Sequence, residues 1–324
     1  MTRLRDSTAD FRALIAATSR ASGMPSAFVE KDYWITELLR SVATPVVGPE
    51  DRPEPVVPIF KGGTSLSKAF GLISRFSEDV DVLLDAPTLG AAVRDRILKE
   101  IGRRAARDLG VGLREREKDR GVKRNFEYEV PRLHVSAVIS PRVRLEMGFR
   151  GGPQPNERRT MTSYVAEHAA RAFRIEIGAY DELTPVSIAV LEPLRTLVEK
   201  LMCLHAAARR ADEGDPAELV RCVRHYYDVG RLLESRDVMG SLASHEGGTA
   251  ALAADVHAHS LEARFPSCPR PDGGFARSSA FRPGAPWESE LRSAYEAALP
   301  QLVWGECPTL DACLNAVRER ASAL

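Results

Sequence analysis

No surplus of positive charge runs through this sequence: 45 Lys plus Arg stand against 45 Asp plus Glu. A whole-molecule field that gathers nucleic acid is excluded, so any RNA affinity has to come from a local patch. Cysteine is scarce as well. The five residues Cys203, Cys222, Cys268, Cys307 and Cys313 are odd in number and scattered, with no CxxC and no Cys/His zinc spacing. They read as free buried thiols of a reducing cytosol. Long apolar runs are absent: no stretch reaches the roughly 18 residues of a membrane span. The opening MTRLRDSTADFRALI also lacks the apolar core of a signal peptide. The expectation is a soluble cytoplasmic protein with no membrane partner. What is present is length, since 324 residues suffice for two modest lobes that each bury a core.

Periodicity divides the chain. Two helices occupy the first forty residues, the second with an apolar stripe through Phe28, Tyr33, Trp34, Leu38 and Leu39. Five prolines between Thr44 and Pro58 then exclude a helix. Beyond them the sequence predicts a strand over Val56 to Phe60, a short helix over Thr64 to Leu72, a strand over Asp79 to Leu84 and an amphipathic helix over Pro87 to Leu109. A charged hairpin follows, then strands over Leu133 to Ile139 and Val143 to Phe149 split at Ser140-Pro141. A helix near Thr162 to Phe173 and a strand near Arg174 to Ala179 complete this half. After Leu191 nearly everything reads helical, over Glu192 to Arg210, Pro216 to Glu234, Ala250 to Arg264, Trp287 to Pro300 and Thr309 to Ala321. The Pro/Gly/Ser-rich run Phe265 to Pro286 reads as a long surface loop. The fold class expected is α+β, a mixed-sheet lobe over 1–190 followed by a mainly helical lobe over 191–324.

Chemistry concentrates in KGGTSLSKAFGLISRFSEDVDVLL, Lys61 to Leu84. Gly62 and Gly63 permit a sharp turn and a close approach to phosphate, and the amides of Thr64 and Ser65 can bind negative charge. Lys61, Gly62, Gly63, Thr64, Ser65 and Lys68 are the candidate nucleotide-binding residues. Asp79 and Asp81, two apart on a strand, present both carboxylates from one face while Val80 and Val82 face the core. Such a pair can hold Mg²⁺ against a triphosphate and activate an attacking hydroxyl for in-line displacement. A lone DxD is more often a solvated strand edge; the upstream GGTS favours the site. For a third carboxylate, Glu146 in VRLEMGF alternates correctly, and Glu176 in FRIEIGA is its rival.

In the helical half, Lys200 lies among Leu197, Leu201 and Leu204, and Asp228 lies in HYYDVGRLL. Lys200 can snorkel to solvent or reach a triphosphate as a point charge. Asp228 can be a structural partner for an arginine, or can orient Lys200 or the incoming nucleotide.

Taken together, Glu30-Lys31-Asp32 with Leu38-Leu39, Gly62 to Ser67, Arg75 to Asp81, Glu199-Lys200-Leu201 and Arg224 to Asp228 resemble, in kind and order, the motifs of the AbiEii/MenT toxins of type IV toxin–antitoxin and abortive-infection systems. The resemblance covers most of the chain. It implies a polymerase-β-like nucleotidyltransferase lobe, a helical lobe and an active site in the cleft between them. Asp79 and Asp81 then correspond to the metal pair, helped by Glu146, and Lys200 and Asp228 to helical-lobe residues needed for transfer. Ser77 resembles a serine that some members present for phosphorylation by an antitoxin, although a simple turn hydroxyl fits it too. Arg224-His225-Tyr226-Tyr227-Asp228 departs from the Arg-Asp usual there, and ADEGD lengthens the preceding loop.

Two further features carry less. Arg114 to Arg124 holds six basic residues against Glu115, Glu117 and Asp119, the composition of a solvated turn. Arg142, Arg144, Arg150, Arg158 and Arg159 flank the Glu146 strand and form the better RNA patch. His257 and His259 point to different helix faces and read as structural. The reading is a toxin nucleotidyltransferase using Mg²⁺ and an NTP to modify RNA, most plausibly the tRNA 3′ acceptor end, held in check by a cognate antitoxin. Its alternatives are a small-molecule nucleotidyltransferase of the antibiotic-modifying kind and a catalytically inactive module that binds RNA or a partner.

Overall fold

The computed structural model describes residues 3–48, 55–86, 88–149, 151–172, 180–262 and 267–324. It divides into two compact units. One comprises Met1–Ala69, Phe76–Phe149 and Asn156–Val190, and the other Phe70–Arg75, Arg150–Pro155 and Leu191–Leu324.

The first unit is built on a sheet. Helix α1 (Thr8–Ser22) buries Phe11, Leu14, Ile15 and Thr18 at helical spacing, and α2 (Ser26–Val42) is buried almost all round. Strands β1 (Val46–Val47) and β2 (Pro55–Val56) form a small antiparallel pair. Then come β3 (Pro58–Lys61), α3 (Gly62–Lys68), β4 (Asp79–Leu84), α4 (Ala91–Leu109), β5 (Leu113–Asp119), β6 (Lys123–Tyr128), β7 (Val143–Gly148), β8 (Asn156–Met161), α5 (Tyr164–Ala172) and β9 (Val186–Leu191). The order β5-β6-β7-β4-β3-β9-β8 makes a seven-stranded mixed sheet, with β4 parallel to β7 and β3 parallel to β9. Helix α4 lies so close to β6 that a Cβ at Gly102 would meet the Phe126 ring at 2.6 Å.

The second unit is helical: α6 (Pro193–Asp212), α7 (Ala217–Arg221), α8 (Val223–Glu234), α9 (Arg236–Ser244), α10 (Gly248–Glu262), α11 (Glu288–Leu302) and α12 (Leu310–Glu319). Leu197, Leu201 and Leu204 of α6, Tyr226, Leu232 and Leu233 of α8, and Leu314 and Val317 of α12 fill its core. The α+β class expected from periodicity is observed, a mixed sheet followed by a helical region.

Several elements depart from the sequence expectation, among them strands β8 and β9, which periodicity does not announce. Leu133 to Ile139 is not a strand; its Leu133 and His134 amides donate to the Glu30 carboxylate at 2.7 and 2.8 Å instead of to a sheet neighbour. The helix expected over Pro216 to Glu234 breaks at Cys222 into α7 and α8, and α9 follows where no helix was expected. The run expected as a surface loop contains fully buried Phe275 and Phe281 in two short 3-10 turns. The strand expected near Arg174 to Ala179, with Glu176, lies outside the described residues, as do Phe265 and Arg150.

Candidate functional site

In the sheet unit the glycine turn and the acidic strand are one structure. Strands β3 and β4 pair so that Lys61, the last residue of β3, stands opposite Asp81. The chain then turns at Gly62, whose φ of +79° is costly for any residue with a Cβ. A Cβ there would also lie 2.1 Å from Asp81 Oδ2, so the carboxylate rests directly on the glycine backbone. Thr64 is buried, and its hydroxyl donates to the Asp79 carbonyl at 2.5 Å, which ties the turn to the strand. The buried Ser65 hydroxyl donates back to the Gly62 carbonyl at 2.9 Å. Both hydroxyls therefore hold the turn, and Gly62, Gly63 and Thr64 open helix α3, where backbone amides have no partner four residues back inside the helix.

Asp79 and Asp81 alternate with the buried Val80 and Val82, as the spacing predicts. The parallel pairing of β4 with β7 sets Asp81 beside Glu146 and Asp79 beside Arg144, so three carboxylates share one sheet face. Burial, and then the charge of Asp79, push the Glu146 carboxyl above its usual range. Arg144 Nη1 answers Asp79 Oδ1 at 3.3 Å. Lys68, expected to meet nucleotide, is engaged elsewhere. Its buried ammonium sits 2.5 Å from Asp32 Oδ1, and Asp32 Oδ2 accepts from the Tyr164 amide at 2.8 Å. Ser77 is half-buried in the irregular stretch ahead of β4.

The triplet Glu30-Lys31-Asp32 received no role from the sequence beyond its place in a motif. All three side chains are buried on α2. Glu30 and Lys31 fasten the segment 133–142, through the Leu133 and His134 amides and the Ser140 and Arg142 carbonyls, and Asp32 fixes Lys68. Nothing in the letters separates these three charges from Glu37 and Arg40 of the same helix, so the sequence carries little signal of their burial.

In the helical unit, Lys200 does not snorkel. It is only 6% exposed, and its Nζ lies 2.8 Å from Oδ2 of the fully buried Asp228. Asp228 also receives Arg75 in a two-pronged contact, Nε to Oδ1 at 2.7 Å and Nη2 to Oδ2 at 2.6 Å. Burial alone would raise the Asp228 carboxyl; the charges of Arg75 and then Lys200 outweigh it and hold the group well below the usual carboxylate range. Arg75, inside the RFSED motif, is the functional candidate that the sequence reading passed over.

One turn further along the same two helices, Cys203 and Cys222 lie with their sulfurs 3.8 Å apart, beside His225. The Cys222 hydrogen bond, with help from His225, draws the Cys203 thiol down, while Cys222, which supplies that bond, goes up. Both thiols are free, as the scattered cysteine spacing suggests, but they are half-buried and adjacent.

The proposed basic patch does not assemble on one strand neighbourhood. Arg158 and Arg159 lie on edge strand β8, separated from Arg142 and β7 by β4, β3 and β9. Arg142 also answers Glu127 and Glu129. In the charged hairpin, Lys123 pairs with Glu117, and the buried Arg124 pairs with Asp95. The charge run is largely paired with acids of the hairpin itself and of α4.

A sequence model of a family described as nucleotidyl transferase AbiEii toxin, type IV TA system, matches residues 55–316, most of the chain. The chain belongs to the AbiEii family. It is thus a toxin nucleotidyltransferase, and a type IV system implies an antitoxin partner. The match contains the glycine turn, Asp79, Asp81, Glu146, Lys200 and Asp228; the α2 triplet precedes it. No curated protein matches the chain. Among the described residues no helix is long and apolar enough to cross a membrane.

Proposed function

We propose that this AbiEii protein transfers a nucleoside monophosphate from an NTP to RNA, with the tRNA 3′ acceptor end as the target. The observation that carries the reading is the seating of Asp81 on the Gly62 backbone, with Asp79 and Glu146 on the same face. A glycine turn that opens a helix beside hard oxygen ligands suits a triphosphate and a divalent cation together.

The donor set fits Mg²⁺, which is commonly held by one or two carboxylates plus substrate phosphates. Asp79 and Asp81 would hold it, and Glu146, raised by burial and then by the charge of Asp79, is the third acid that a nearby cation would relieve. Bound there, Mg²⁺ would neutralise triphosphate charge and activate the attacking hydroxyl. The chain's own residues do the positioning. The amides that open α3 at Gly62 to Thr64 would receive phosphate oxygens. Thr64 keeps the turn locked to β4, and Arg144 offers Asp79 a countercharge. Lys200 and Asp228 enter as residues required for transfer, acting through the ion cluster with Arg75.

The acceptor is tested by incubating the protein with Mg²⁺, total tRNA and each α-labelled NTP in turn, then mapping the label by limited 3′-exonuclease digestion. The reading expects label at the 3′ end. Label appearing only on hydroxylated small molecules would return the protein to the antibiotic-modifying class, which uses the same turn and acid pair.

A further inference from the structure

Helices α6 and α8 run side by side with two rungs of polar contact between them. One rung is Lys200 to Asp228. The other joins Cys203, three residues on from Lys200, to His225, three residues before Asp228, and to Cys222 at the N-cap of α8. The break at Cys222 between α7 and α8 makes this possible, because it sets Cys222 at the N-cap with His225 one turn beyond, the His225 amide donating to the Cys222 carbonyl at 2.8 Å. Among the described residues this is the one trio of cysteine, histidine or acidic ligand atoms lying within 4.8 Å of one another.

We infer that Cys203, Cys222 and His225 form a binding site for a thiophilic divalent metal of the zinc class, clipping α6 to α8 beside the Lys200–Asp228 pair. Three observations converge. The first is the sulfur spacing of 3.8 Å; two thiolates at ~2.3 Å from a tetrahedral ion sit about 3.8 Å apart. The second is His225, whose Nδ1 is buried without a hydrogen-bond partner, a cost that coordination or fixing of the ring would remove. The third is that all three side chains are half-buried, enclosed enough to shed water yet open enough for an ion to enter. Cys₂His with a fourth position for water is a known zinc donor set. Disulfide formation is the competing chemistry, but it gives His225 no role and requires the sulfurs to approach from 3.8 Å to a bond of ~2.05 Å. The sequence concealed the cluster because its members come from two helices and match no short motif.

The site does not depend on the transfer reaction and is tested without it. The reduced full-length protein is stripped with chelator, titrated with Co²⁺ and followed by absorption, then back-titrated with Zn²⁺. The expected result is one equivalent of Co²⁺ with a sulfur-to-cobalt charge-transfer band and the intense visible bands of tetrahedral coordination, displaced by Zn²⁺. Cys203→Ser, Cys222→Ser and His225→Ala should each lose those bands, whereas Cys268→Ser should keep them. Retained circular dichroism separates loss of a ligand from loss of the fold, and a Zn²⁺-dependent rise in melting temperature, present in wild type and absent from the three variants, reads the clip independently. Absence of the charge-transfer band in folded, reduced wild type overturns the proposal. So does a chain that takes up no metal but loses two hydrogens between Cys203 and Cys222 on mild oxidation, the mark of a disulfide.

Discussion

Arg75 grips Asp228 through two hydrogen bonds of 2.7 and 2.6 Å, both partners almost wholly buried. Lys200 completes the cluster on Oδ2. Removing the carboxylate takes from two buried cations the acid they share, so Asp228→Ala should cost about 3–5 kcal/mol. Urea unfolding measures this, and a loss below about 1 kcal/mol would mean that the cations find water or other partners.

The same cluster sets a pH dependence. The folded-state carboxyl of Asp228 is held below its unfolded value of ~3.9. Its stabilisation is therefore complete above about pH 4 and is lost as pH falls from there towards the folded pKa. Urea midpoints should fall as the medium is acidified below about pH 4, and fall less steeply in Asp228→Asn, which has no proton to take up at that position. Equal acid slopes in the two proteins would remove Asp228 from the account.

Lys68 offers a contrast between sequence and structure, because its place in the glycine-turn motif suggests a nucleotide ligand and its ammonium lies against Asp32 at 2.5 Å. If that pair is structural, Lys68→Met alone should destabilise by about 3–5 kcal/mol by stranding a buried carboxylate. The double variant Asp32→Asn with Lys68→Met should recover much of the loss. A Lys68→Met protein of normal stability that binds NTP poorly would restore the phosphate role.

Gly62→Ala combines a disfavoured φ with a clash, the new Cβ lying 2.1 Å from Asp81 Oδ2. The backbone strain is about 1–3 kcal/mol. The displaced carboxylate should cut transfer at least about tenfold, since misplacement of ~1 Å at a reacting centre costs on the order of a hundredfold. A folded Gly62→Ala protein with unchanged kcat would detach Asp81 from the chemistry.

Local patterns carried much of this. Strand alternation at Asp79 to Val82 and at Val143 to Met147 named which acids leave the core, and the burial pattern agrees. What periodicity could not supply was pairing. That β4 lies parallel to β7, bringing Asp81 beside Glu146, is a long-range fact absent from either strand. The partner of Lys200 was likewise open between solvent, phosphate and carboxylate until α6 met α8. Leu133 to Ile139 alternates like a strand, yet Glu30, a hundred residues away in sequence, takes its amides. Buried charge is what the sequence hides best, since the same letters Glu30-Lys31-Asp32 would suit a solvated helix face.

On the proposed function, Asp79 and Asp81 serve transfer at the α-phosphorus. Wild type, Asp79→Asn and Asp81→Asn are incubated in parallel with tRNA, Mg²⁺ and NTP labelled at either the α or the γ position. Nucleotidyl transfer leaves the nucleoside on the acceptor and releases pyrophosphate. The account predicts RNA label from the α position alone in wild type, and its loss by orders of magnitude in both variants with circular dichroism unchanged. Label carried over from the γ position, or full α-transfer by either folded variant, would contradict it.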